Sequence, residues 1–344
     1  MNAVRFHAHG GPEVLVYEEA PDPKLEPGKV LVRVRACALN HLDLWQRRGL
    51  ERVRIPMPHI SGADVSGEVA ACGPGVATPL QPGLRVMLQP GLSCGVCARC
   101  LEGRDHLCPQ YDVLGYQSEG GYAEIVSVPA ANVIPIPDRI DFVTAAAFPL
   151  AFLTAWHMLH AGAGLSASDV VLVVAAGSGV GQAAIQVARA AGARVIATAG
   201  GDEKLAKAHA LGAEAVIDHY KEDVAARVKA LTGGRGVDVV VEHVGKATWE
   251  RSVRCLARGG RLVTCGATTG HDVPLDLRHL FARQLSLIGS YMGGKAELLR
   301  AADLFFRGVL TPAIDRTFTL FECARAHQHL ESSSHFGKVV LVLD

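Results

Sequence analysis

The sequence predicts an α/β protein in which a β-rich segment precedes a doubly wound parallel sheet. Three observations carry this. Residues 1–140 hold short alternating runs, Val30–Ala36 and Val65–Ala70 among them, split by turn pairs such as Pro27-Gly28 and Pro82-Gly83. After Asp141 strand and helix patterns alternate. A glycine turn, "AAGSGVG" (175–181), lies between the first strand of that series and its helix.

Bulk numbers set the bounds. A chain of 344 residues suits two cores better than one. It is 49% hydrophobic and 20% charged, the composition of a globular protein. Its 34 basic and 34 acidic side chains cancel, so no basic excess points to nucleic acid and no like-charge block to an interaction tail. The N-terminal "MNAVRFHAHGGPEV" has no apolar signal core, and the cysteines do not form a disulfide framework, so a reduced cytoplasmic setting is expected. Val170–Ala188 approaches a membrane span in length, but Gly177, Ser178, Gly179 and Gly181 interrupt it. A buried strand, a glycine turn and a helix account for it better. The expected partner is a small-molecule substrate, not a membrane.

The elements follow in order. "DFVTAAAFPLAFLTAWHMLH" reads as helix interrupted at Pro149. Val170–Ala175 is a continuous apolar run, as in a parallel strand covered on both faces. The next helix puts Val180, Ala183, Ala184, Val187, Ala188 and Ala191 on one face. Strand Arg194–Thr198, helix Glu203–Leu211, strand Ala215–Ile217 and helix Glu222–Leu231 come next. Strand Asp238–Glu242, helix Ala247–Leu256 and strand Gly260–Cys265 complete the series. A helix at Ala296–Phe306 and short β-like segments close the chain.

The glycine turn departs from the strict dinucleotide fingerprint: aligned on Gly179 and Gly181 it reads Ala176-x-Ser178-Gly179-x-Gly181. Its place between a buried strand and an amphipathic helix still predicts that backbone N–H groups at Ser178, Gly179, Val180 and Gly181 hold a pyrophosphate. An NAD site puts a carboxylate at the tip of the second strand. Here the tip is Ala199-Gly200-Gly201, and Asp202 is better placed to cap the following helix. Small residues leave room for a 2′-phosphate and Lys204 can pair with it, so NADP(H) is favoured over NAD(H).

Four cysteines recur as Cys94-x2-Cys97-x2-Cys100-x7-Cys108. Four thiolates saturate tetrahedral zinc and leave no open position, which makes the metal structural. A ferredoxin run has three residues before its last cysteine, against seven here.

With these motifs, the chain resembles the medium-chain dehydrogenase/reductases, which include zinc alcohol dehydrogenases and quinone oxidoreductases. The resemblance also rests on "GADVSGEVAACGPGV" (62–76), "GGYAEIVSVPA" (120–130), "TGGRGVDVVVEHVG" (232–245), "TWERSVRCLARGGRLVTCG" (248–266) and "HFGKVVLVL" (335–343). It implies a GroES-like β-barrel catalytic domain over 1–150, a Rossmann domain over 151–290, and a segment 291–344 completing the first. It also implies a homodimer or homotetramer, through a strand like that in "LSLIGSYMGG" (285–294).

Zinc alcohol dehydrogenases carry a second, catalytic zinc on a Cys, a Gly-His-Glu motif and a further Cys or Asp. Mapped here, those positions hold Ala38, Gly62-Ala63-Asp64 and Leu150, with Cys37 turned to the opposite strand face. One carboxylate does not hold a catalytic zinc. A different metal set from His41, Asp43, His59 and Asp64 is the alternative. The zinc-free relatives carry a segment like "LNHLDLWQRRG", which implies Asn40 near the nicotinamide and substrate carbonyl, with Asp43 close by. Thr154, His243, Val244 and Gly266 would line the cofactor groove. His41 is a second donor, since histidine titrates near about 6.5. Trp45, Glu51 and Tyr291 are candidate pocket positions. The expected chemistry is hydride transfer from NADPH to a quinone, enone or other activated carbonyl. The alternatives are an alcohol dehydrogenase with an atypical metal and a non-enzymatic NADP(H)-binding protein.

Overall fold

In the computed structural model, which describes residues 1–50, 53–77 and 80–343, the chain forms two compact units. One combines Met1–Leu150 with Gly294–Asp344 and the other is Ala151–Gly293.

The second unit is built on six strands in the order Ala215–Asp218, Arg194–Ala199, Val170–Val173, Val237–Glu242, Leu256–Thr264, Ser286–Gly289. All neighbours are parallel. In chain order this is 3-2-1-4-5-6, the doubly wound arrangement whose ligand crevice opens where strand order reverses. The apolar run at Val170 lies in a core with Leu172, Ile196, Val240 and Leu262.

Helix Gly179–Ala190 begins where Ser178 Oγ accepts the Gly181 N–H at 2.8 Å, and it buries Ala183, Ala184, Val187 and Ala188 as the periodicity predicts. A Cβ on Gly181 would lie 2.3 Å from the Ala175 carbonyl oxygen, so only glycine lets helix and strand approach this closely.

Several boundaries differ from the sequence pattern, and two of the shifts show their cause. Helix Asp202–Ala210 starts one residue early, with Gly201 as its N-cap. Asp202 is therefore in the first turn, and it pairs with Lys221 at 3.0 Å. The strand expected at Gly260 starts at Leu256, because Leu256 is buried against Val237, its partner across the ladder. Tertiary pairing outweighs the local helical pattern there.

The first unit holds a sheet in the order Ile314–Thr319, Lys338–Val342, Lys29–Ala38, Asp64–Cys72, Arg85–Leu88, Val133–Pro135, and Ile125–Pro129 also pairs with Lys29–Ala38. The last strand of the chain runs antiparallel to Lys29–Ala38, with Val340 opposite Ala38 and Leu341 opposite Cys37. The faces separate as pleating requires. Cys37 packs with Val65, Leu88 and Tyr122, whereas Ala38 packs with Ala146, Ala147 and Val340. Helix Phe142–Ala146, capped by Asp141 at the Thr144 N–H, is followed by helix Pro149–Trp156 and a π-helical turn at His157–Gly162. Among the described residues no helix is long and apolar enough to cross a membrane.

Candidate functional site

The cysteine lobe brings the Sγ atoms of Cys94, Cys97, Cys100 and Cys108 within 4.8 Å of one another. Cys94–Cys100 and Cys97–Cys100 are 3.9 and 3.5 Å apart. Zinc–sulfur bonds of about 2.3 Å place tetrahedral sulfurs about 3.8 Å apart, so the donor set fits zinc. Backbone N–H groups of Val96 and Cys97 push the Cys94 thiol down to about 6, which favours the thiolate a metal binds. The Asp105 carboxylate, between the third and fourth cysteines, accepts the Lys295 N–H at 3.0 Å. That N–H opens helix Lys295–Phe306, so the lobe is tied to the point where the chain re-enters this unit.

At one end of the sheet, the three positions corresponding to catalytic-zinc ligands come together around a buried ion pair. Asp64 is 0% exposed and Lys338 3%. Lys338 Nζ donates to Asp64 Oδ2 at 2.9 Å and to Asn40 Oδ1 at 2.5 Å. Asn40 Nδ2 donates to the same Asp64 oxygen at 3.0 Å and lies 3.4 Å from the Ala38 carbonyl. The other Asp64 oxygen accepts the Leu150 N–H at 2.7 Å. Both carboxylate oxygens are thus engaged, and both ends of the Asn40 amide are committed within the protein. Ala38 and Leu150 supply no side-chain ligand.

Asp43 lies beside this network. Its Oδ2 accepts the Asn40 N–H and the Tyr122 hydroxyl, each at 2.8 Å, and the first contact caps helix His41–Arg48. Burial pushes the Asp43 carboxyl up to about 6, although the Asn40 N–H, Tyr122 and the Lys338 charge oppose the shift. Among the described residues no arginine is bonded to it; Arg47 instead bonds His327 Nδ1 at 3.0 Å and pairs with Glu331. His41 heads the helix, half-buried, its ring edge-on to Trp45 at 6.1 Å. His59 Nε2 meets the Gly115 carbonyl at 3.1 Å and its ring packs on Phe6. The set His41, Asp43, His59 and Asp64 does not converge: among the described residues only the four cysteines form a metal-ligand group. Tyr291 is mostly exposed, and Glu51 lies outside the described residues.

In the second unit the crevice is bridged directly. Ser178, after the first strand, and His243, after the fourth, meet at 3.0 Å through Oγ and Nε2. Burial lowers the His243 pKa, favouring the neutral ring. Glu242 fixes the same turn: it accepts from the N–H groups of His243, Val244 and Gly245 and from the hydroxyls of Thr248 and Ser252. The Val244 carbonyl accepts the Thr269 hydroxyl at 2.7 Å, and a Cβ on Gly266 would come 3.1 Å from the His243 carbonyl oxygen. Thr154 is buried on helix Pro149–Trp156. Lys204 lies on helix Asp202–Ala210, and its charge and that of Arg251 both lower the pKa of His219, after burial.

Lys338, Tyr122 and Glu242 were not singled out by sequence reasoning. The signal for Lys338 is a charge opening a wholly aliphatic strand, and for Glu242 an acid ending one.

A crevice of this kind, in a chain that also folds a GroES-like unit with a four-thiolate lobe, defines a dehydrogenase/reductase class. Residues 26–138 match the model "Alcohol dehydrogenase GroES-like domain" and residues 179–307 match "Zinc-binding dehydrogenase". An alcohol dehydrogenase of Geobacillus stearothermophilus is 33% identical over 331 residues, covering 96% of each chain. A quinone oxidoreductase of Pseudomonas aeruginosa is 34% identical over 354 residues, covering 98% of each. The crystal structure of an NAD-dependent alcohol dehydrogenase superposes with a TM-score of 0.97 at 47% identity, over all of both chains. The chain belongs to the medium-chain dehydrogenase/reductase family and is an oxidoreductase.

Proposed function

We propose that this oxidoreductase transfers hydride from NADPH to quinones, enones or other activated carbonyls, and does so without a catalytic zinc. The observation that carries the reading is the Lys338 ammonium on Asp64. A catalytic zinc takes about three protein ligands and an open position. Here two of the three positions are Ala38 and Leu150, and the third is a carboxylate already neutralised by Lys338 and bonded at both oxygens. The residues present do not fit the metal.

Charge developing on the acceptor oxygen must then meet hydrogen-bond donors. These suit an acceptor whose product delocalises charge, as a quinone or enone does. The protein orients the reactants and excludes water, while hydride chemistry is supplied by the nucleotide. His41 is the proton donor in this reading. Asn40 and Asp43 hold the segment that carries it: Asp43 caps the helix, and Asn40 anchors its start to Asp64 and Lys338.

NADP(H) is supported by the acid-free tip Ala199-Gly200-Gly201 and by the engagement of Asp202 with Lys221. Lys204 and Arg251 also create positive potential around His219. Such a field favours a 2′-phosphate over a bare ribose.

A second reading is alcohol oxidation with NAD and an added metal, favoured by the likeness to the 47%-identical NAD-dependent alcohol dehydrogenase. A spectrophotometric screen separates the two. NADPH and NADH are each offered with quinones, enones and aldehydes, and NADP+ and NAD+ with alcohols. Fastest turnover is expected for NADPH with a quinone or enone. Turnover confined to NAD+ and simple alcohols would overturn the proposal.

A further inference from the structure

Gln89 is 1% exposed, yet among the described residues neither Nε2 nor Oε1 of its amide has a hydrogen-bond partner. A buried amide left unpaired is costly and needs a reason. The backbone around it is fully engaged. The Gln89 N–H donates to the Asn132 carbonyl at 2.8 Å, and Asn132 Nδ2 returns bonds to the Gln89 and Gly91 carbonyls at 2.7 Å each. The strand end is therefore fixed through its backbone, while the side-chain amide carries no bond among the described residues.

Its position explains what the amide is for. Strands Asp64–Cys72 and Arg85–Leu88 pair with Ser66 opposite Met87. Continuing that register by two residues puts Gln89 opposite Asp64. Leu88 packs in the core with Cys37 and Val65, so the pleat turns Gln89 to the other face. That face carries Ala38 and, two residues before Val340, Lys338. Gln89 thus joins the row that holds Asp64, Asn40 and Lys338. Within that row the Asn40 amide is taken up by Asp64 and Lys338, whereas the Gln89 amide is not engaged.

We infer that Gln89 is the donor that receives the oxygen of the carbonyl substrate. This rests on the reading of the site as a zinc-free reductase. NADPH, when bound, would supply hydride from its C4–H bond, whose electron pair becomes the new C–H bond on the acceptor. The acceptor's π pair moves onto its oxygen, where Gln89 Nε2–H meets the developing charge, and that oxygen then takes its proton from His41, the donor of the proposed reading. Gln89 Oε1 remains to accept from a hydroxyl. The substrate class is therefore a carbonyl compound with a neighbouring hydroxyl or enol, or a quinone passing to its hydroquinone.

The test uses Gln89→Met and Gln89→Asn in the full-length protein, assayed with NADPH against a quinone and an enone alongside thermal melting. Gln89→Met is expected to lower kcat by about 100- to 1000-fold, as removal of one such donor does, with the KM for NADPH unchanged. It is also expected to raise Tm by about 2–4 °C, because an apolar side chain replaces an unpaired amide. Gln89→Asn, which keeps the amide on a shorter stem, should retain part of the rate. If the wild-type protein reduces these acceptors and both variants keep its kcat/KM, the amide serves only to hold water; the assignment falls and the reading of the site stands. If the wild-type protein reduces no activated carbonyl, the reading fails and the assignment with it.

Discussion

Lys338 opens a strand whose other members are aliphatic, and an ammonium there is tolerable only because Asp64 and Asn40 receive it. Lys338→Met removes the charge and leaves Asp64 buried and unpaired. Stability should fall by about 3–5 kcal/mol, read from urea unfolding. Adding Asp64→Leu should recover much of that loss, whereas strictly additive losses would contradict the pairing. Asp43 makes a different prediction. Its folded pKa of about 6 lies above the unfolded value of 3.8. Between those values the folded protein keeps a proton that the unfolded chain has released. Stability is therefore full below about pH 4 and declines as pH rises through 6, by about 3 kcal/mol in all. Asp43→Asn should flatten that part of the stability–pH curve, and an unchanged slope would count against the burial argument. Asn40, Asp43 and Asp64 were legible through the resemblance, which singled out "LNHLDLWQRRG" and the Gly62-Ala63-Asp64 position. Lys338 was not paired with them, because its partner Asp64 lies 274 positions away in sequence and no local pattern signals such a contact.

Among the elements, the cysteine lobe was the most legible, since ligand spacing is local and chemically specific. Its second link was not: Asp105 reaches the start of helix Lys295–Phe306, and nothing near Asp105 announces that helix. Stripping the lobe of metal, or replacing Cys100 by Ser, should therefore lower Tm and expose residues 295–306 to faster amide exchange. Exchange changes confined to residues 91–109 would break the proposed link. The strand–helix series was also legible in order and type, because each parallel strand is an apolar run and each helix has one apolar face. Its boundaries slipped where tertiary contacts decided them, as when burial drew Leu256 into a strand.

For the whole molecule, the doubly wound parallel sheet was legible from the glycine turn and the repeating units behind it, while the order of its six strands comes from the structure. The first unit was harder to derive from local pattern. The pairing of Lys338–Val342 with Lys29–Ala38 joins the ends of the chain, and alternation alone does not choose a partner strand. In the proposed reading cofactor choice is also set at this scale, by the field near the second strand. Lys204→Glu should raise the KM for NADPH at least about tenfold and leave that for NADH nearly unchanged. An equal effect on both nucleotides would remove the support for NADP(H). The central claim is that the Lys338 ammonium stands where a catalytic metal would act. Zinc content measured on fully active protein, with turnover followed as zinc is withdrawn and returned, tests it most directly. One zinc per chain is expected, with no gain in rate on adding more. Two per chain, with turnover falling in step with loss of the more weakly held ion while the four-cysteine lobe stays loaded, would contradict it.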